Sequence, residues 1–302
     1  MSKMSVNLAG VTLKNPVMTA SGTFGSGAEY SEFVDLNHLG AVVTKGVANV
    51  PWPGNPTPRV AETTGGMLNA IGLQNPGIDL FSKRDLPFLE KFDTKVIVNV
   101  CGHSTEEYLD VVERLADEPR VDMLEINVSC PNVKEGGIAF GQNPKALEDI
   151  TKEVKKYAKQ PVIMKLSPNV TDITEMAKAA EAGGADVLSL INTLTGMKID
   201  INRRTFALAN KTGGMSGPAV KPVAVRMVYQ VANAVSLPII GMGGIATCED
   251  ALEFIMAGAT AVSVGTANFF NPYATEEIAE GIQAFLEKEK VEDINELIGV
   301  VK

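Results

Sequence analysis

The chain has 302 residues, of which 45% are hydrophobic and 21% are charged, so it can bury a large core and does not have the composition of a disordered protein. Its 36 acidic and 27 basic residues give a net charge of −9, which argues against nucleic acid as a partner because phosphate binding relies on basic patches. This length is normal for a single α/β barrel.

The first predicted element is a small hairpin at the N-terminus. Its sequence, VNLAGVTLKN, turns at Ala9-Gly10, and we expect it to cover the bottom of the fold. The first ten residues lack the apolar run of a signal peptide, and no later stretch approaches the ~20 apolar residues that span a bilayer. We therefore expect a cytoplasmic chain that does not associate with membranes.

Eight short apolar runs follow, each typical of a parallel strand that is buried on both faces. They are Pro16–Gly22, Ala41–Gly46, Lys95–Gly102, Met123–Pro131, Pro161–Pro168, Val187–Thr193, Pro238–Gly244 and Ala261–Ala267. Their starts lie 25, 54, 28, 38, 26, 51 and 23 residues apart. A spacing near 25 fits one strand plus one helix, so the three longer gaps must contain insertions.

Helical patterns lie between these runs. Asn143 followed by Pro144 predicts an N-cap with proline at the first helical position, and Thr247 with Asp250 resembles a capping box. The other predicted helices are Thr105–Asp117, Thr171–Gly183, Lys221–Val235, Thr247–Ala257 and Tyr273–Lys290.

Strands that alternate with helices form either a closed (β/α)8 barrel or a doubly wound sheet. The count of eight, the length of the chain and the lack of a GxGxxG motif after the first strand favour the TIM barrel. No stretch of the sequence looks like a linker between domains. We predict one barrel domain over residues 1–302, with insertions at its C-terminal rim.

Every apolar run ends in polar or glycine residues, and the C-terminal ends of barrel strands meet at the rim where barrel enzymes do their chemistry. These residues are Ser21-Gly22, Lys45-Gly46, Asn99, Asn127 with Ser129 and Cys130, Lys165, Asn192-Thr193, Gly243-Gly244 and Gly265-Thr266. Any one of them could be satisfied by its neighbours alone. The whole set at one rim favours a shared ligand.

The glycine turns after strands 7 and 8, Gly243-Gly244 and Gly265-Thr266, have a direct physical interpretation. They let backbone N–H groups approach an anion closely, at a place where barrels frequently bind phosphate. The alternative is that they only make tight turns from strand to helix. Glycines at both positions favour phosphate.

The two rim lysines, Lys45 and Lys165, leave the chemistry open. Lysines on barrel strands act as Schiff-base nucleophiles in some enzymes and as partners of anions in others. Asparagine both donates and accepts hydrogen bonds, which suits a planar heterocycle with amide and carbonyl edges.

The segment NVSCPN places Cys130 at the end of strand 4. A thiol with a reference pKa of about 8.5 can serve as a base near neutral pH if its site favours the thiolate. The alternative is an inert buried cysteine, which is our interpretation of Cys101 and Cys248. The three cysteines lie far apart and form no CxxC pair, so we predict neither a disulfide framework nor a metal or iron–sulfur site in this chain.

Two insertions, Ala48–Gly77 and Leu194–Val220, are long enough to be functional. The first contains Asn69 and Asn75 in a glycine-rich stretch that could hold a carboxylate. The second contains Arg203-Arg204, which we interpret as a solvent-exposed or interface feature.

Taken together, these motifs resemble the dihydroorotate dehydrogenase family. The resemblance covers nearly the whole chain, through TASG, TKG, NAIGLQNPG, NVSCPN, MKLSP, INT, SGP, GMGGI and SVGTA. It implies a barrel that holds one FMN and oxidises (S)-dihydroorotate to orotate in pyrimidine (UMP) biosynthesis.

The resemblance also implies roles for individual residues. Cys130 would be the catalytic base, with Lys45 beside it. The flavin would contact Ala20, Ser21, Lys45, Gly46, Asn99, Asn127, Lys165 and Ile191. Its phosphate would lie on Gly217, Gly243, Gly244, Gly265 and Thr266. Orotate would be held by Lys45, Asn69, Ala70, Ile71, Gly72, Leu73, Asn127, Asn132, Asn192 and Thr193.

The family's membrane-bound class uses serine as the base and carries an N-terminal extension, whereas this sequence has Cys130 at the position of the base. The sequences of two motifs, NVSCPNVKEGG and NAIGLQNPG, resemble the NAD-linked form more closely than the fumarate-reducing homodimer. In the NAD-linked form a dimer of the barrel subunit pairs with a subunit that carries FAD and a [2Fe–2S] cluster, giving a heterotetramer. The remaining alternatives are an aldolase or lyase that uses Lys165, and a barrel that binds ligands without chemistry.

Overall fold

A computed structural model describes residues 2–128 and 140–301 of the chain, so the predicted site residues Cys130 and Asn132 lie outside the described residues. The N-terminal hairpin is present: Val6–Leu8 pairs antiparallel with Val11–Leu13, and Val6 lies opposite Leu13. Leu8 and Leu13 are fully buried. The hairpin leads directly into the first strand of a barrel.

The barrel strands are β1 (Val17–Thr19), β2 (Ala41–Val43), β3 (Lys95–Val100), β4 (Met123–Asn127), β5 (Val162–Lys165), β6 (Val187–Leu190), β7 (Ile239–Met242) and β8 (Ala261–Val264). Each is parallel to its neighbour in sequence, and β8 pairs with β1 to close the barrel. Each of the eight apolar runs forms one of these strands, which confirms the predicted TIM barrel. In these strands nearly every residue is buried, because helices cover one face and the barrel interior covers the other.

The helices are α1 (Ile78–Leu80), α2 (Leu86–Leu89), α3 (Thr105–Leu115), α4 (Pro144–Tyr157), α5 (Ile173–Ala182), α6 (Lys221–Ala232), α7 (Cys248–Met256), α8 (Ala267–Phe270) and α9 (Ala274–Glu289). A π-helical turn, Phe81–Asp85, joins α1 to α2. Short 3-10 turns lie at Tyr30–Glu32, Leu36–His38, Phe140–Gln142, Pro218–Val220 and Ile294–Leu297.

The predicted helix starts are confirmed by their caps. The Asn143 side chain accepts a hydrogen bond from the backbone of Ala146, and Thr247 and Asp250 form a complete capping box at α7. Each cap satisfies backbone N–H groups that the first helical turn leaves without partners. These caps fix where each helix begins after the rim, and therefore how long each rim loop is.

The two insertions share one sheet, and the second insertion also forms a two-stranded hairpin in which Ile199–Asp200 pairs with Thr205–Phe206. Val60–Thr63 and Gly66–Asn69 come from the first insertion, and Leu194–Met197 and Thr212–Ser216 come from the second. They pair into a four-stranded antiparallel sheet in which Gly214 lies opposite Asn69. This insertion sheet adjoins the C-terminal end of β6.

Glycine makes this close approach sterically feasible. A Cβ on Gly214 would lie 1.9 Å from the Thr193 hydroxyl oxygen, just after β6. Any larger residue at position 214 would push the insertion sheet away from the strand end. Among the residues described, none of the helices has the length and apolar character needed to cross a membrane.

Candidate active site

A cavity of about 580 Å³ lies at the C-terminal ends of the barrel strands, beside the insertion sheet. All eight strands, or the residues that follow them, contribute to its wall. The predicted site residues that line it are Ala20, Ser21, Lys45, Gly46, Asn69, Ala70, Ile71, Gly72, Leu73, Asn99, Asn127, Lys165, Ile191, Asn192, Thr193, Gly243, Gly244, Gly265 and Thr266. This volume is typical of a site that encloses a cofactor or a small ligand.

Gly217 is the described site residue that the structure places differently. It lines an adjoining groove of about 400 Å³ instead of the main cavity. The groove and the cavity share Gly244 and Thr266. The carbonyl oxygen of Gly217 lies 2.8 Å from where a Cβ on Gly244 would be. Gly217 therefore contacts the glycine turn from the adjoining groove.

The turn after β7 has no room for side chains. Gly243 and Gly244 have φ angles of +125° and +83°, in the region that favours glycine. A Cβ on Gly243 would lie 2.9 Å from the Cβ of Ala224 on α6. Across the cavity wall, the Thr266 hydroxyl donates a 2.7 Å hydrogen bond to Ser216 of the insertion sheet. This end of the cavity exposes backbone and hydroxyl groups, which suits a phosphate.

Lys45 lines the cavity with a half-buried side chain. Burial lowers the pKa of Lys45 from its usual value, and the positive charges of Lys165 and Arg59 lower it further, while Cys101 opposes the shift. The ammonium form is therefore less favoured here than in water. A bound anion would restore it, so Lys45 is suited to hold a carboxylate.

Lys165 is buried at the base of the cavity and reaches across the barrel. Its Nζ atom donates a 2.9 Å hydrogen bond to the Ser21 hydroxyl, which follows β1 on the opposite side. The same Nζ atom lies 3.5 Å from Oε1 of Glu125 on β4. Lys165 is thus held between a hydroxyl at the rim and a carboxylate below it.

Two cavity asparagines form a connected amide pair. Nδ2 of Asn192 donates to Oδ1 of Asn127 at 3.2 Å, and the backbone N–H of Thr193 donates to Oδ1 of Asn192 at 2.8 Å. The Tyr108 hydroxyl donates to the backbone carbonyl of Asn127 at 2.7 Å, which holds the main chain at the end of β4. These bonds fix both amides toward the cavity, where they can read the polar edge of a ring.

The stretch Asn69–Leu73 is held by its own insertion. Asn55 contacts it twice, through its backbone N–H to the Ile71 carbonyl at 3.0 Å and through Nδ2 to the Ala70 carbonyl at 3.0 Å. The Oδ1 atom of Asn75 accepts hydrogen bonds from the backbone N–H groups of Ala48 and Gly77. The expectation that backbone N–H groups of this glycine-rich stretch hold a carboxylate stays a prediction, and the Asn75 amide shapes the same stretch.

Sequence reasoning missed several polar residues of the site. Glu125 and Ser189 lie inside the barrel beneath the cavity, and Asn55 and Asn169 line its wall. Glu125 could have been recognised from the sequence, because burying a charged residue within the apolar run MLEIN costs free energy unless the charge is paired. Nothing in the sequence indicated a role for the other three, because their partners come from elements distant in sequence.

The remaining cysteines and arginines are outside this cavity. Cys101 is fully buried, and burial raises the pKa of the half-buried Cys248 thiol. Arg203 and Arg204 are exposed, and neither lines the cavity. Among residues 2–128 and 140–301 no group of three or more His, Cys, Asp and Glu side chains is arranged to hold a metal ion.

The residues present fit FMN. The Oδ1 atom of Asn99 is buried and has no hydrogen-bond partner within the described residues, so it is available to a ligand N–H group. Gly46 leaves space beside that atom, because a Cβ there would lie 3.1 Å from it. The turn at Gly243-Gly244 is suited to a phosphate. One cavity therefore offers hydrogen-bond partners both to a flavin ring near Lys45 and Lys165 and to a phosphate at the Gly243-Gly244 turn.

Comparison with known proteins gives a consistent result. Residues 3–286 match the family model described as Dihydroorotate dehydrogenase. A protein of Lachnoclostridium phytofermentans named "Dihydroorotate dehydrogenase B (NAD(+)), catalytic subunit" is 76% identical over 298 residues, with 99% of each chain covered. A protein of Geotalea uraniireducens with the same name is 57% identical, with 99% of this chain and 98% of the relative covered.

A solved structure supports the architecture. The crystal structure of DHODH from Eimeria tenella in complex with ferulenol superimposes with a TM-score of 0.81 and covers 99% of this chain and 88% of that one. The sequences are 24% identical, so this likeness bears on the fold alone.

Proposed function

The chain belongs to the dihydroorotate dehydrogenase family, and from that premise we propose that it oxidises (S)-dihydroorotate to orotate in pyrimidine biosynthesis. It is an oxidoreductase of the NAD-linked kind, a catalytic subunit whose electrons reach NAD⁺ through a partner subunit. The relatives' shared name supports this assignment over the fumarate-reducing form.

The observation that carries the proposal is the convergence of two lysines, two asparagines and the glycine turns on one cavity. Lys45, Lys165, Asn99 and Asn127 all reach it from different strands. Burying so many polar groups inside a barrel costs free energy unless a polar ligand supplies their hydrogen-bond partners. A phosphorylated flavin and a planar carboxylate substrate together would use all of these groups.

We assign FMN to the end of the cavity formed by Lys165, Asn99 and the two glycine turns. When bound, FMN supplies a hydride acceptor for the substrate. Lys165 is held by Ser21 and Glu125, and Asn99 offers an oxygen that has no partner among the described residues, so both groups are oriented before any ligand arrives. Such pre-orientation lowers the ordering cost of binding.

The substrate is assigned to the side of the cavity formed by Lys45, the Asn69–Leu73 stretch and the Asn127–Asn192 pair. The ammonium of Lys45 suits the substrate carboxylate, and the amides suit the ring's N–H and carbonyl groups. Thr193 lies at the same wall. The insertion sheet adjoins this cavity and would limit the access of water to the bound ring.

Cys130 is proposed as the base that removes the proton from C5 of the substrate, as the family resemblance implies. Asn132 is proposed as a further contact to the substrate. Both lie outside the described residues. Asn127, three residues before Cys130, lines the cavity at the end of β4, so the chain leaves the barrel strand at the edge of the proposed site.

The relatives' name, "catalytic subunit", implies a second subunit. We propose that this partner carries FAD and a [2Fe–2S] cluster and that two copies of each chain form a heterotetramer in the cytoplasm. The alternative of a Lys165 aldolase is less well supported, because the Nζ atom of Lys165 is engaged with Ser21 and Glu125.

The test is to purify the chain alone and together with its partner. The isolated chain is expected to release FMN on denaturation and to reduce an artificial dye with dihydroorotate, while reduction of NAD⁺ requires the partner. Absence of flavin from a folded preparation, or rapid reduction of fumarate by the isolated chain, would contradict the proposal.

A further inference from the structure

Glu125 places a carboxylate inside the barrel, directly beneath the cavity. It lies in the middle of β4 and is 1% exposed. Ser189 on β6 donates a 2.9 Å hydrogen bond to its Oε2 atom. Because β5 lies between β4 and β6, this bond crosses the barrel interior, so the carboxylate lies inside the barrel and not under a helix.

The other two partners of this carboxylate both line the cavity. Nδ2 of Asn99 donates to Oε1 of Glu125 at 2.7 Å, and Nζ of Lys165 lies 3.5 Å from the same oxygen. Glu125 itself does not line the cavity. Among residues 2–128 and 140–301, Asn99 and Lys165 are therefore the groups that connect it to the proposed ligand site.

The stability of the barrel does not explain why a charged residue lies at position 125. Burying a carboxylate costs several kcal/mol, which good partners only offset, and apolar replacements of buried ion pairs are often neutral or stabilising. The residues of β4 on either side of Glu125, Leu124 and Ile126, are fully buried and apolar. The ion pair between Glu125 and Lys165 thus points to a role in the cavity above it.

The carboxylate determines which way the Asn99 amide faces. A carboxylate accepts hydrogen bonds but cannot donate them. Asn99 must therefore turn its NH₂ group toward Glu125. Its Oδ1 atom then faces away, is buried, and has no partner in the part of the chain that the structure describes. That oxygen lies 3.1 Å from the position of a Cβ on Gly46, at the cavity wall.

We propose that Glu125 is a positioning residue for the flavin site: it orients the Asn99 oxygen and the Lys165 ammonium toward the ring, and its negative charge lowers the reduction potential of the bound flavin. This inference rests on the proposed function, since it requires a flavin in the cavity. Reduction adds negative charge to the ring, which Lys165 and Lys45 favour and Glu125 opposes. Glu125 thus offsets one of the two positive charges.

The test is the midpoint potential of FMN bound to Glu125→Gln, measured against a reference dye. The glutamine side chain has nearly the same shape as glutamate but carries no charge. We expect the equilibrium constant for flavin reduction to rise at least about tenfold, which is about 30 mV for a two-electron couple. The matched control is Ser189→Ala, which removes a neutral donor from the same carboxylate and is expected to change the constant less than about threefold.

An unchanged potential in flavin-loaded E125Q would overturn the inference. If E125Q does not fold, because Lys165 is left without its counter-ion, Lys165→Met is compared with the double variant E125Q/K165M. With Glu125 present, we expect a lower potential than in the double variant. Equal potentials in the two variants would also overturn the inference. If the wild-type chain itself binds no flavin, the proposed function fails instead.

Discussion

The Nζ atom of Lys165 on β5 donates a 2.9 Å hydrogen bond to the Ser21 hydroxyl that follows β1, across the full width of the barrel. These two strands are four positions apart in a closed ring of eight, so the bond joins opposite walls. It lies at the base of the cavity, where the flavin ring is proposed to rest. With the bond from Ser189 to Glu125 beneath it, this contact gives the upper part of the barrel a polar interior.

The turn at Gly244 allows a test of the proposed phosphate site. Gly244→Ala would strain a φ of +83° and place a Cβ 2.8 Å from the Gly217 carbonyl oxygen and 2.9 Å from Cβ of Lys221. We expect FMN affinity to fall at least about tenfold, since the turn must move away from the phosphate. The measurement is the dissociation constant of FMN, by titration of the apoprotein.

The matched control is Gly184→Ala. Gly184 also has a positive φ, +92°, but it follows α5, and its nearest neighbour would be the Lys155 side chain at 3.8 Å. The control variant carries the same kind of backbone strain without touching the cavity. An equal loss of FMN affinity in the two variants would show that strain, and not the phosphate site, causes the effect.

Binding of orotate is expected to depend on pH through Lys45. Burial lowers the pKa of Lys45 below its usual 10.5, so deprotonation in the ligand-free site occurs at a lower pH than for an exposed lysine. The protonated form binds the carboxylate. Affinity for orotate should therefore be full below the lowered pKa of Lys45 and fall as the pH rises through it.

Lys45→Met should remove this dependence and weaken orotate binding by about 10- to 150-fold, the worth of a hydrogen bond to a charged group. The dissociation constant of orotate, measured on the FMN-loaded protein over a range of pH, gives both results. Lys178→Met, at an exposed lysine of α5, is the control and should match the wild type. A pH-dependent loss of affinity that persists in K45M would rule out Lys45 as its origin.

The proposed base is tested by Cys130→Ala. Flavin reduction by dihydroorotate should slow by roughly 10²- to 10⁴-fold, the usual contribution of a general base, while FMN remains bound. Rapid-mixing absorbance of the flavin band measures this step directly. Cys248→Ala, at a half-buried thiol on α7, should reduce at the wild-type rate. Near-normal reduction in C130A would refute the assignment.

The barrel could be predicted from sequence because each strand is buried on both faces and therefore reads as a continuous apolar run. The helical segment 78–89 was not predicted, since Pro87 and a π-helical turn break its period. The insertion sheet could not be predicted either. Its pairing of Asn69 with Gly214 joins residues 145 positions apart, and no local pattern specifies such a partner.

The same distinction applies to the site. Lys45, Asn99 and Lys165 stand out because each is a polar residue at the end of an apolar run. Glu125 is also within such a run, but its meaning depends on Ser189, which lies 64 positions away. Gly217 was expected at the phosphate from the family resemblance, and the structure places it in a groove that adjoins the cavity at Gly244 and Thr266. Sequence pattern thus locates the rim residues, whereas their hydrogen-bond partners emerge only from the fold.

The most direct measurement is anaerobic titration of the purified chain with dihydroorotate, followed by its visible spectrum. We predict a flavin spectrum that is bleached by about one equivalent of dihydroorotate per FMN, with orotate as the product. A folded protein that carries flavin but is not bleached by dihydroorotate, or that carries no flavin, would contradict the proposed activity.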